Sequence, residues 1–400
     1  MEILWISGRG WKMITRIEAS GYRCLRSVAQ ELEPFQILVG PNGSGKSAFL
    51  DVLAFLGTAI SEGLEAAVRE RTQNFYDLVW GREGSSFELA IEARIPEYLR
   101  VAMPPGASET IRYEVKIRLD PGSEMLVFVK ESIELRTREG AQGSGIMVIK
   151  RDQRSVNVTW ENSQQGPSAT ANPRISALRT FPEQQYPRAT SWLTNLLSTG
   201  ITWIKLDVNE LRKPSPPQQA PLKQFTGVNL ARTVNQLKEN NPQNFEAWLA
   251  HLRTSLPDLG SIRLVLRPED RHRYLMIRQT NDVEVPSWAL SEGTLRLLAL
   301  TVFAYVPDFQ GIYLIEEPEN GVHPTAIETI YQSLSSIYEG QVMVASHSPI
   351  LLSLAKPQEL LCFTKTSQGT EIVRGSEHPA LRDWRGEVNL SDLFAAGVLG

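Results

Sequence analysis

Apolar and polar positions change period several times along the chain. Ile14 and Ile17 predict a first strand, Gly21-Tyr22-Arg23 a turn, and residues 28–32 a second strand. The apolar run Phe35, Ile37, Leu38, Val39 then predicts a short buried strand, and residues 48–60 a helix. Glu62, Glu65, Arg69, Glu70 and Arg71 extend the helical character to about Gln73. At Phe87 the period drops to two. Residues 87–95 and 111–119 alternate cleanly, and 125–135 and 155–160 continue the pattern, which predicts an antiparallel sheet with one wet face. The polar stretch 161–175 reads as a loop. Helical character returns around 192–197, a strand is predicted at 201–208, and residues 213–221 form a proline-rich connector that suits neither helix nor central strand. Helices at about 228–240 and 243–255 precede strands at 261–266 and 273–278. No internal repeat is present, and the absence of sustained heptads between the glycine loop and residue 290 predicts no coiled-coil arm.

Composition narrows this picture modestly. With 400 residues, 42% hydrophobic and 22% charged, the chain has material for two or three lobes with a large interior. Its formal net charge of −4 excludes a general polyanion binder, so a nucleic-acid contact needs a local basic surface. Cys24 and Cys362 are the only cysteines, which predicts neither a disulfide framework nor a zinc site and is consistent with the cytoplasm. Residues 1–12 read as an N-terminal extension without signal-peptide character, and no apolar run is long enough to span a bilayer.

The chemistry starts at Gly40-Pro41-Asn42-Gly43-Ser44-Gly45-Lys46-Ser47, between the buried strand and the helix. Glycines at 40, 43 and 45 let successive backbone N–H groups face one anion, and the helix turns its positive end to the same point. Lys46 is then placed for β- and γ-phosphates and the Ser47 hydroxyl for Mg²⁺. Arg23 falls where a loop would lie against a nucleotide base, or is a solvated loop arginine.

Four further motifs follow in fixed order. Leu290-Ser291-Glu292-Gly293-Thr294-Leu295-Arg296 starts a helix; Ser291 is an N-cap, or a hydroxyl free for an anion beside Gly293. The strand from Ile312 ends in Glu316-Glu317-Pro318-Glu319. There Glu316 is placed for the Mg²⁺ shell and Glu317 to polarise an attacking water. Asn320-Gly321-Val322-His323-Pro324 opens a helix with Ile327, Ile330, Leu334 and Ile337 on one face. Finally, a strand from Val342 ends in Ser346-His347-Ser348-Pro349. His347 is expected beside the Glu317 strand, within reach of a γ-phosphate.

GPNGSGKS, LSEGTLR, IYLIEEPENGVHP and VMVASHSP, in this order, resemble the Walker A, signature, Walker B with D-loop, and switch-histidine motifs of the ABC-type ATPase superfamily. The likeness is to its SMC/RecF-like branch of stand-alone bacterial AAA-family ATPases, related to OLD-family and phage-defence ATPases. It covers residues 14–80 and 286–400, including 228–231 and 393–400, and is weak over the strand-rich middle. The resemblance implies an α/β fold, an ABC-type ATPase head of two lobes. Lobe I (13–165) would hold the phosphate loop and a mixed or antiparallel sheet. A helical and strand insertion (166–285) would precede lobe II (286–400), with a mainly parallel sheet core. It further implies ATP and Mg²⁺ as ligands, Lys46 and Ser47 as the Walker A pair, Glu316 as the metal acid, Glu317 as catalytic base and His347 as switch residue. Ser291 would bind the γ-phosphate held by an opposite subunit, so that a complete site needs a homodimer.

Three features depart from the family pattern. Glu316 stands in place of an aspartate, Glu292 and Thr294 in place of glycine and glutamine, and Gln73, Gln184 and Gln185 remain alternatives for the Q-loop glutamine. A carboxylate at Glu292 weakens a closed ATP-bound dimer electrostatically. The expected function is an ATP-driven switch or clamp acting on double-stranded DNA or on a separately encoded effector, in repair or phage defence; the alternative is a nucleotide-sensing scaffold with little turnover. Arg263, Arg267, Arg271, His272, Arg273 and Arg278, interleaved with Tyr274, are either a phosphate-contacting face or a solvated strand pair balanced by Glu269 and Asp270. No membrane partner is expected. A fused OLD-type nuclease is disfavoured, since Asp383 and Asp392 are the only aspartates after His347.

Overall fold

The protein is described by a computed structural model over residues 13–101, 103, 109–136, 145–152, 155–217, 224–307, 311–379 and 381. The expected extension at 1–12, the end of the proline-rich connector (218–221), the 393–400 stretch, Asp383 and Asp392 lie outside the described residues.

Strands β1 (Ile14–Tyr22) and β2 (Leu25–Glu31) form a hairpin; β3 (Phe35–Val39) feeds the glycine loop and α1 (Lys46–Ser61) leaves it, with α2 (Leu64–Arg69) behind. Then come β4 (Ser86–Arg94), the short α3 (Glu97–Arg100), β5 (Thr110–Leu119), β6 (Leu126–Arg136), β7 (Ile146–Arg151), β8 (Ser155–Thr159) and β9 (Gln165–Thr170). Eight of these strands make one sheet, ordered β2-β1-β4-β5-β6-β7-β8-β9 and antiparallel at every pairing. Alternation sets its faces: Ile111, Tyr113, Val115 and Ile117 of β5 are buried and the residues between them are not.

The chain continues through α4 (Arg188–Thr199), β10 (Ile201–Ile204), α5 (Val208–Arg212), β11 (Gln224–Phe225), α6 (Leu230–Asn240) and α7 (Pro242–Leu252). A three-stranded sheet, β12 (Leu259–Leu266), β13 (Arg273–Gln279) and β14 (Glu284–Pro286), precedes α8 (Glu292–Thr301). Last are β15 (Gly311–Glu316), α9 (Pro324–Ser335), β16 (Gly340–Ser346), α10 (Pro349–Leu354), β17 (Leu360–Thr366) and β18 (Gly369–Arg374).

A seven-stranded sheet, ordered β11-β10-β15-β16-β3-β17-β18, forms the centre. It is parallel except for the antiparallel edge strand β18. Successive residues of its strands go to opposite faces. Leu38, Leu314, Met343 and Phe363 pack with α1 and the antiparallel sheet, whereas Ile37, Val39, Ile315, Val344 and Cys362 pack with α6 to α10. Burial on both faces accounts for the near-continuous apolar runs at Phe35 and Ile312. The strand that feeds the glycine loop thus lies inside the parallel sheet, between strands from the far end of the chain.

Several expectations change. The 161–175 stretch contains β9, an edge strand paired only with β8 and wet on both sides, so it needs no apolar alternation and tolerates Pro167. The strand predicted at 201–208 ends at Ile204, because Asp207 accepts the Asn209 N–H at 2.7 Å and caps α5. Gly63 interrupts the helix expected to reach Gln73, and the turn expected at Gly21 comes after Tyr22, at Arg23 and Cys24. β7, β17 and β18 had no counterpart in the sequence reading. Of the two arrangements expected for the N-terminal sheet, mixed or antiparallel, the eight-stranded sheet has the antiparallel one. Among the described residues no helix is longer than the 16 residues of α1, and none is long and apolar enough to cross a membrane.

Candidate functional site at the carboxyl edge of the parallel sheet

Parallel strands release their chains at one edge, so β3, β15 and β16 bring the glycine loop, the acidic turn and the histidine turn together. The register is direct: Val39 pairs with Ser346, and Ala345 with Glu316. Gly40, Glu317 and His347 each follow one of these paired positions.

The glycine loop has the conformation its composition demands. Gly40, Gly43 and Gly45 have φ of 148°, 75° and 109°. A Cβ at Gly40 would come within 2.2 Å of the Phe363 carbonyl, and one at Gly45 within 2.5 Å of Thr370 Oγ1, so both glycines are required by close packing on β17 and β18. Thr370 also donates to the Ser44 carbonyl at 2.8 Å. Lys46 folds over the loop, donating to the carbonyls of Gly40 (2.6 Å) and Pro41 (3.0 Å). Burial lowers its pKa below the ordinary 10.5, while Glu317, Glu316 and Glu319 pull it back upward. The Ser44 hydroxyl is buried with no hydrogen-bond partner.

The acidic turn is bent at its second carboxylate. Glu317 has φ 48°, left-handed for a non-glycine residue, an arrangement that costs about 1–3 kcal/mol and is characteristic of functional positions. Its N–H bonds the Ala345 carbonyl at 2.8 Å, and Asn320 donates to its carboxylate. His347 Nδ1 lies 3.4 Å from Glu317 Oε1 and 3.7 Å from Glu319 Oε1. Ser47 and Glu316, from α1 and β15, line one cavity of about 460 Å³ with Arg23, Asp51, Arg71, Trp203 and Lys205. Left-handed glycines ahead of a helix start, a lysine facing three carboxylates, and a serine and glutamate on one cavity suit an Mg²⁺-bound triphosphate; Ser47 and Glu316 are the residues that would hold the metal.

Ser291 and Gly293 are elsewhere in this arrangement. The Ser291 hydroxyl accepts the Thr294 N–H at 3.1 Å and caps α8. A Cβ at Gly293 would lie 3.0 Å from the Gly321 carbonyl, so the start of α8 packs on the turn that follows Glu319. Glu292 is paired with Arg296 at 2.8 Å, which answers the charge that the sequence placed awkwardly near a phosphate.

The sequence left two readings open for each of two groups of arginines. Arg23 pairs with buried Asp51 at 3.0 Å, alongside Arg71 (2.7 Å) and the Tyr22 hydroxyl (2.7 Å), and lines the same cavity as Ser47 and Glu316. In the three-stranded sheet, Arg263 pairs with Glu284 (2.8 Å), Arg278 with Asp282 (2.9 Å), and Arg267 and His272 with Asp270. That surface is largely self-neutralised. Sequence reasoning had no role for Asp51 or Glu319. A single acid in the apolar run after Ser47 was the available signal for Asp51, and a third acid in one turn for Glu319.

Residues 184–353 match the family described as an AAA domain, putative AbiEii toxin, Type IV TA system. Among solved structures, the fold is similar to an SmcHead bound to the C-winged helix domain of ScpA, with a TM-score of 0.53 and 17% identity over 90% of this chain and 97% of that one. It is also similar to a Smc head domain with an extended coiled coil, bound to the C-terminal domain of ScpA and derived from Pyrococcus furiosus. There the TM-score is 0.51 and the identity 15%, over 90% and 96% of the two chains. No curated protein sequence matches this chain significantly. The likeness of the chain to ABC- and SMC-like AAA ATPases therefore rests on motifs, family match and fold together.

Proposed function

We propose that this chain is an ATP-hydrolysing switch that closes as a homodimer on ATP and controls a separately encoded protein effector. The reading is supported above all by the convergence of Lys46, Ser47, Glu316, Glu317 and His347 at one sheet edge. Lys46 and the loop N–H groups would hold the β- and γ-phosphates, and Ser47 and Glu316 the Mg²⁺, which neutralises phosphate charge when bound. Glu317 would orient and deprotonate the attacking water, with His347 beside it on the γ-phosphate side. Ser291 and Gly293, at the start of α8, would complete the site of a second copy. A ligand shifts a conformational equilibrium only through differential affinity, and a nucleotide held by two chains favours the closed form in that way. A protein effector is favoured over double-stranded DNA because Arg263 on β12 and Arg278 on β13 are each matched by a neighbouring acid.

Steady-state ATP turnover with Mg²⁺, with and without double-stranded DNA, tests this. Turnover that falls about 10²- to 10⁴-fold in Glu317→Gln and is indifferent to DNA is expected, with that variant dimeric in ATP by light scattering. Wild-type turnover no higher than that of Glu317→Gln would end the hydrolase reading. Strong DNA stimulation would end the choice of a protein effector, and a monomeric Glu317→Gln in ATP would end the composite site.

A further inference from the structure

Glu319 is a carboxylate with a buried side chain close to the proposed chemistry, and its hydrogen bonds go to the turn after β16. Its side chain is 8% exposed. One oxygen, Oε1, accepts the Ser346 hydroxyl at 2.7 Å and the His347 backbone N–H at 3.0 Å, and lies 3.7 Å from the His347 ring. The Ser346 hydroxyl oxygen in turn accepts the Ser348 N–H at 3.0 Å. The other oxygen, Oε2, is buried and has no hydrogen-bond partner. Burying a carboxylate with part of its capacity unmet costs free energy, so a purely structural tie would be met more cheaply by a serine or asparagine.

The connectivity states what the group does. Glu317 and Glu319 leave the same turn after β15, and His347 opens the turn after β16. Glu317 is held by Asn320 and by its N–H bond to Ala345; Glu319 grips the backbone at His347 from the same side. The His347 ring is left 44% exposed and 3.4 Å from Glu317. We infer that Glu319 is a positioning residue that locks the turn after β16 and thereby sets the His347 imidazole against Glu317. It acts through His347 and has no independent contact with substrate. This deepens the proposed ATPase reading and rests on it for its consequence in turnover.

The test is a mutant cycle. Glu319→Ala removes the acceptor, and Glu319→Gln keeps a carbonyl oxygen of the same reach. In Glu319→Ala, kcat is expected to fall about 10- to 100-fold, as when an outer partner of a functional side chain is lost, with the affinity for a fluorescent ATP analogue unchanged. Glu319→Gln is expected to restore most of that loss. In a His347→Ala background, Glu319→Ala should cost little more, because residues acting as a unit are non-additive. Equal losses in both backgrounds, or a parallel loss of ATP affinity, would overturn the inference. Histidine-ring NMR of the nucleotide-free protein separates this from failure of the ATPase reading. Among five histidines, the signal that His347→Ala deletes should shift in folded Glu319→Ala. An unmoved signal, or a shift that Glu319→Gln does not reverse, would overturn the positioning role even if the wild type hydrolyses ATP, and a shift that Glu319→Gln reverses would sustain it even if it does not.

Discussion

Two glutamates with buried side chains, Glu131 in a strand of the antiparallel sheet and Glu319 in the turn after β15, are satisfied to different degrees. Glu131, on β6, is fully buried and saturated: it accepts from the Tyr113 hydroxyl (2.8 Å), the Ser176 hydroxyl, the Ala177 N–H (2.6 Å) and Arg151 Nε (3.0 Å). The other guanidinium nitrogens of Arg151 go to the carbonyls of Asn172 and Ile175. Each Glu131 oxygen therefore has two donors, and each guanidinium nitrogen of Arg151 has an acceptor. Glu319, at the edge of the parallel sheet, keeps a free oxygen, and beside it Lys46, Glu317 and His347 are held near one another without closing into saturated pairs. A saturated buried charge locks a fold, whereas at the sheet edge Glu319 would hold its neighbours in place and Lys46, Glu317 and His347 would remain available to a ligand.

Substitutions that should act on only one of the two regions sharpen this difference. The largest effect is expected from Lys46→Ala, which should abolish measurable ATP binding by calorimetry while leaving the thermal midpoint nearly unchanged; normal ATP binding by that variant would remove the comparison's functional half. Glu131→Ala should act in the opposite sense. Leaving Arg151 buried without its partner is expected to cost about 3–5 kcal/mol in denaturant unfolding, with ATP affinity of the folded protein retained. A cost near zero would mean that the node is not what locks the antiparallel sheet. The smallest effect is expected from Arg263→Ala combined with Arg278→Ala, since both side chains are half exposed and already paired with acids. Affinity for a double-stranded oligonucleotide, read by fluorescence anisotropy, should not change; a fall of tenfold or more would show that these pairs open for phosphate.

Elements with a strong local period were legible before the fold was known. Alternation in residues 111–119 and 125–135 located β5 and β6 to within a residue or two, and the apolar run after Ser47 located α1. Some edge strands were not legible. β9 is wet on both faces and paired on one side, so nothing in its own sequence marks it. That the glycine loop, Glu316, Glu317 and His347 belong to strand ends was legible because each motif directly follows or closes a short apolar run. Whether an arginine was free was not legible: Arg23 and Arg71 meet Asp51 from β1–β2 and from beyond α2, and Arg263 meets Glu284 from a neighbouring strand.

The sequence alone determined the chemical inventory and its order along the chain, since turns, strand ends and helix starts depend on near neighbours. The tertiary structure alone decided which strand lies beside which and which charges are already answered. β3 sits between β16 and β17, more than three hundred residues away, and Gln341 bonds both the N–H and the carbonyl of Ile14 across 327 positions. Such pairings are selected by the burial of two whole faces at once, a property of the assembled layers that no local window of the chain contains.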